Sequence, residues 1–62
     1  MDKQEIKKIR QKLFMTQTQF GKELGVSTNT VCDWEKGNMS PSLRNQKKIV
    51  ELCKKNDIEI DK

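Results

Sequence analysis

The sequence predicts an all-α protein, a compact bundle of four to five helices across residues 1–62. Three observations carry this. Apolar residues recur at three- and four-residue steps, and no sustained run favours strands. Breakers are few, at Gly21, Gly25, Gly37 and Pro41. Hydroxyl residues stand where helix N-caps belong, just ahead of those apolar periods.

The first helix is expected over about residues 2–14, with Ile6, Ile9 and Leu13 on one face and lysines on the rest. The second is expected over 17–24. Thr16 can cap it, and Gln19 can reach back to complete a capping box, with Met15 and Phe20 as a hydrophobic staple. Gly25 is the expected stop, since glycine adopts the left-handed conformation at little cost. The third helix is expected over 28–36, capped by Ser27, stapled by Val26 and Val31, and closed by Gly37. The stretches "MTQTQF" and "VSTNTV" are therefore two consecutive helix entries, with only "GVS" between the helices. Gly21 lies inside the second helix, where glycine costs about 1 kcal/mol relative to alanine. Close approach of the third helix's backbone is the compensating reason we expect.

The fourth helix is expected over 42–55. Either Ser40 caps it with Pro41 in the first turn, or Ser42 does. Leu43, Ile49, Val50 and Cys53 form its expected apolar stripe. The tail "DIEIDK" is expected to be a frayed end packing one isoleucine, in preference to a strand or a fifth helix.

Sixty-two residues make one domain at most. A chain of this size buries only about 60% of its unfolded surface. Its stability is on the order of 3–9 kcal/mol, at ~0.05–0.15 kcal/mol per residue. That leaves little room for a deep catalytic cavity. Histidine is absent, so no nucleophile–histidine pair can form, and no enzyme is expected. Cys32 and Cys53 are too far apart for metal-ligand spacing and read as reduced thiols. No metal or cofactor is expected. No signal-peptide pattern or membrane-length apolar run is present, so a cytoplasmic protein without membrane association is expected. The net charge of +4 favours a polyanionic partner, nucleic acid before membrane.

Helix, three-residue turn and exposed second helix make a helix-turn-helix. The stretch "IRQKLFMTQTQFGKELGVSTNTVCDWEKGNMSPS" resembles the XRE family, the phage-repressor and Cro-like helix-turn-helix proteins. Gln17, Phe20, Gly21, Leu24, Gly25, Val26, Val31, Trp34, Glu35 and Gly37 agree together at their spacing. The Gly21 position usually holds alanine in that family, in keeping with close packing there. The resemblance implies a lambda-repressor-like bundle whose third helix enters the major groove. It implies that Gln17 bonds a phosphate, and that Arg10 pairs with Glu35. "RNQKK", Arg44 to Lys48, departs from the leucines usual in the family's fourth helix, which puts that helix's core contribution and register in question.

With Val31 and Trp34 turned inward, Thr28, Asn29, Cys32, Asp33 and Lys36 are left outward. Thr28 and Asn29 at the helix start are the first candidates for base contact. Asn29 can pair bidentately with adenine; Thr28 can offer its methyl to thymine or its hydroxyl to a base. Asp33 can accept from cytosine N4, be neutralised by a neighbouring lysine, or remain a solvated charge. Cys32 reads as a small space-filling residue. Thr16, Gln17, Lys36, Asn38, Ser40 and Arg44 form the candidate phosphate rim.

The expected function is sequence-specific transcriptional regulation, repressor or Cro-like. The expected partner is double-stranded DNA carrying a palindromic operator, bound by a homodimer, with a protein partner possible. The alternatives are an antitoxin-type regulator, or a protein-interaction module with weakened DNA binding, which Asp33 keeps in play.

Overall fold

A computed structural model describes residues 1–59; the last three positions of the tail lie outside the described residues. Four helices follow one another: α1 (Lys3–Lys12), α2 (Gln17–Leu24), α3 (Thr28–Lys36) and α4 (Leu43–Lys55). No strand and no fifth helix occur among the described residues. α3 packs against both α1 and α2, and α4 packs against α2. Each helix brings apolar residues to one core: Ile6 and Ile9, Phe20 and Leu24, Val31 and Trp34, and Ile49, Leu52 and Cys53.

Local chemistry sets the boundaries. Each helix starts on a side-chain cap that accepts a backbone N–H three residues on: Asp2, Thr16, Ser27 and Ser42. At Thr16 the capping box is complete, with Gln19 N donating to Thr16 Oγ1 at 3.1 Å and Thr16 N donating to Gln19 Oε1 at 3.0 Å. α2 and α3 close on Gly25 (φ 73°) and Gly37 (φ 82°), both left-handed. Ser42, not Ser40, caps α4.

Three expectations are corrected. α1 ends at Lys12 rather than near residue 14. Phe14 turns left-handed (φ 56°) and stands 94% exposed. Its N–H reaches Gln11 O at 3.0 Å and the Met15 N–H reaches Arg10 O at 3.2 Å, the two bonds of a Schellman closure with phenylalanine in the glycine position. The second correction is in α4. Leu43 is 82% exposed, and Val50 only half-buried, while Leu52, outside the expected stripe, is buried. At 3.6 residues per turn, Leu43 falls about 120° around the helix from Ile49, whereas Leu52 falls within about 60° of it.

The third concerns Gly21. A Cβ there would lie 2.8 Å from Val26 O and 3.4 Å from Ser27 O. The close approach is real, but it comes from the turn between the helices rather than from the body of α3. The same contact is held by Val26 N donating to Gly21 O at 2.9 Å.

The polar first half of α4 fastens turns instead of filling the core. Gln46 Nε2 donates to Pro41 O at 3.1 Å, and Lys48 Nζ donates to Leu24 O at 3.2 Å, closing the end of α2. After α4, Ile58 packs half-buried against the core, with its N–H donating to Cys53 O at 2.8 Å. Both cysteines are free thiols; burial pushes the Cys53 thiol upward, opposed by the positive charge of Lys12.

Candidate nucleic-acid interface

α2, the turn Gly25–Ser27 and α3 form one packed corner. Gly21 allows the turn to lie against α2, and Val31 and Trp34 anchor α3 in the core. The outer surface of α3 then divides into two stripes, each with the i, i+4, i+7 spacing that places residues along one helix face.

The first stripe, Thr28, Cys32 and Glu35, faces the start of α2. Thr28 Oγ1 donates to Thr18 Oγ1 at 3.2 Å. Cys32 Sγ donates to Gln17 Oε1 at 3.5 Å, and Gln17 Nε2 donates to Glu35 Oε1 at 3.4 Å. Glu35 also receives Arg10, with Nε to Oε2 at 2.6 Å and Nη2 to Oε1 at 3.0 Å. Arg10 Nη1 donates to Met15 O at 3.0 Å. Cys32, Gln17, Glu35 and Arg10 thus form one connected network across α3, α2 and α1. The Arg10 and Glu35 side chains are only 16% and 7% exposed. The Glu35 hydrogen bonds stabilise the Arg10 cation and push its guanidinium upward, against the cost of partial burial.

The second stripe is Asn29, Asp33 and Lys36. Asn29 and Lys36 are exposed, Asp33 is half-buried, and the three side chains have no hydrogen-bond or ion-pair partner among the described residues. The Asp33 carbonyl, however, accepts Asn38 N at 2.9 Å and Met39 N at 3.3 Å, which folds the loop after Gly37 against the end of α3.

Around these stripes, Thr16, Asn38, Ser40 and Arg44 are exposed, and Gln17 is half-buried. Thr16 and Gln17 sit at the start of α2, where free backbone N–H groups favour anions. Arg44 belongs to the first turn of α4. The structure therefore brings Arg10, Gln17 and Glu35 together, and leaves Thr28, Asn29 and Asp33 neighbouring along α3.

Two contacts escaped the sequence reading. Cys32 is a hydrogen-bond partner of Gln17 as well as a filler of space, and Thr18 is a partner of Thr28. The available signal was the second periodicity of α3: Thr28, Cys32 and Glu35 share a face of their own, distinct from Asn29, Asp33 and Lys36.

A family model described as helix-turn-helix matches residues 6–60. No curated protein and no solved structure matches the chain. The matched region contains the whole corner from Thr16 to Gly37 and the partly buried ion pair behind it. It supports a DNA-binding helix-turn-helix regulator. No helix among the described residues is long and apolar enough to cross a membrane. The chain belongs to the XRE-type helix-turn-helix family.

Proposed function

We propose that the protein is a sequence-specific transcriptional regulator of the repressor or Cro-like kind, with α3 lying in the major groove. The observation that carries this reading is the stripe Asn29, Asp33 and Lys36 on a helix that lies inside the region matched by the helix-turn-helix family model. Among the described residues these side chains have no hydrogen-bond or ion-pair partner, and α3 is held by its other two faces.

In this reading Thr28 and Asn29 contact base edges, Asn29 through adenine N6 and N7. Asp33 accepts from cytosine N4, the major-groove donor suited to a carboxylate. Thr16, Gln17, Lys36, Asn38, Ser40 and Arg44 hold phosphates and set register. Gln17 suits this role: with one amide N–H on Glu35 and its oxygen taken by Cys32, a second amide N–H remains for a phosphate oxygen. One such corner reads only a few base pairs, so the protein acts as a homodimer on a palindromic operator with half-sites one helical turn apart. The site of action is the cytoplasm.

Binding to genomic fragments, including the region upstream of the protein's own gene, at two salt concentrations tests the proposal. A regulator selects a defined site and loses affinity as salt rises. Asn29→Ala should cost ~1–3 kcal/mol at one base position, and Arg44→Ala should weaken all sequences alike. Binding that never rises above the non-specific level rejects the reading.

A further inference from the structure

We infer that Thr18 is a positioning residue for sequence reading: it takes up the hydroxyl hydrogen of Thr28, so that Thr28 meets the bases as a hydrogen-bond acceptor only. The inference rests on the regulator reading and deepens it. It assigns a role to a residue of α2 and a base class to a residue of α3.

Thr28 is the first residue of α3 and Thr18 the second of α2. The two hydroxyls meet at 3.2 Å, with Thr28 Oγ1 donating and Thr18 Oγ1 accepting. A threonine hydroxyl has one hydrogen to give and two lone pairs to offer. Unconstrained, it rotates to suit either a donor or an acceptor on a base, and it discriminates poorly. Held by Thr18, it has no hydrogen left for a base oxygen or ring nitrogen. Its lone pairs remain, and its methyl is fixed by the same rotamer.

The major groove makes this restriction informative. Each base pair carries one exocyclic amine there, N6 of adenine or N4 of cytosine. An acceptor therefore does not separate A·T from G·C. It chooses the orientation of the pair: adenine or cytosine on the strand that Thr28 faces, against guanine or thymine. Asn29, beside it, adds the adenine preference at its own position.

Selection from a random duplex library tests the inference, using the full chain and the variants Thr18→Val, Thr18→Ser and Thr28→Val. Thr28→Val locates the affected position, because preference is lost there and nowhere else. The wild type should prefer adenine or cytosine at that position by about fivefold, the size expected of one net hydrogen bond. Thr18→Ser keeps the acceptor and should keep the preference. Thr18→Val is nearly isosteric, frees the Thr28 hydroxyl to rotate, and should flatten the preference to within about twofold. The readout is a ratio between bases, so a phosphate contact by Thr18, which weakens every sequence alike, does not move it. A wild-type preference for guanine or thymine at the mapped position overturns the inference. So does a Thr18→Val protein with an unchanged motif, or a Thr28→Val protein with the wild-type motif. Failure of the wild type to select any motif overturns the regulator reading and this inference with it.

Discussion

The corner from Thr16 to Gly37 and the elements that flank it are held by different means. In the corner, caps, helix stops and core anchors follow one another closely. Thr16 and Ser27 cap, Gly25 and Gly37 close helices in the left-handed conformation, Gly21 admits the turn, and Phe20, Leu24, Val31 and Trp34 fill the core. The flanks are looser. α1 closes on a phenylalanine, and α4 begins with a leucine that faces water. The corner must present α3 in one orientation, and its redundancy of caps and anchors serves that. The flanks need only supply apolar mass and clasp the corner from behind, so they tolerate local choices that cost something.

The largest effect should follow from removing the anchor of α3. Trp34 is 1% exposed and belongs to the core. Trp34→Ala leaves a cavity where the helices meet and should cost about 4 kcal/mol, a large share of the stability of a domain of this size. Thermal unfolding followed by circular dichroism should show no cooperative transition at 37 °C or above. A variant that still melts cooperatively above that temperature would show that the flanks, not the corner, dominate stability.

Next comes the clasp. Arg10 lies on α1, yet its partners are Glu35 and the Met15 carbonyl, so it ties a flank to the corner. Arg10→Met leaves the Glu35 carboxylate buried with only the weak contact from Gln17. The expected loss is about 3 kcal/mol, because the uncompensated charge costs more than the pair contributed. Arg10→Lys should recover only part of it, since an ammonium cannot span both carboxylate oxygens while holding Met15 O. Urea denaturation of the two variants gives the comparison.

How far each region could be read from the sequence follows the same division. The corner was legible because its signals are short-range: a hydroxyl, a glutamine three residues on, a glycine at the close. The Arg10–Glu35 pair was legible only through family resemblance, since nothing local links residues 25 apart. Flank boundaries were misread where the usual marker is missing. Phe14 occupies the place that glycine marks at Gly25 and Gly37. Leu43 looked like core because it is leucine, although its angular position excludes it. The Thr18–Thr28 and Gln17–Cys32 contacts join two helices whose relative rotation the sequence does not state. Base and phosphate roles rest on family membership and on which faces of α3 remain uncommitted.

The α1 closure offers a change of opposite sign. A left-handed conformation costs a residue other than glycine about 1–2 kcal/mol, and Phe14, nearly all exposed, has little packing to offset it. Phe14→Gly should stabilise the protein by about 1 kcal/mol, less the entropy that glycine adds to the unfolded chain. The midpoint of denaturation should rise with the slope unchanged. A fall instead would mean that the ring contributes packing that its exposure does not reveal.

The smallest effect should come from Leu43→Ser. By residue type alone it looks severe, as truncation of a core leucine costs 2–5 kcal/mol. By position it should be nearly silent. Leu43 is the first residue of α4, directly after the Ser42 cap, and its side chain is 82% exposed. What holds the start of α4 is the cap, the Gln46 bond to Pro41 O, and Lys48 reaching Leu24 O. None of these passes through the Leu43 side chain. The expected change is within about 0.5 kcal/mol, the range of surface substitutions away from such features. Leu52→Ala in the same helix should cost several times more, because Leu52 lies on the stripe with Ile49 and Cys53. The pair of variants, measured side by side by urea denaturation, separates position from residue type. If Leu43→Ser costs as much as Leu52→Ala, then the first turn of α4 is a packed part of the fold, and the contrast between corner and flank fails there.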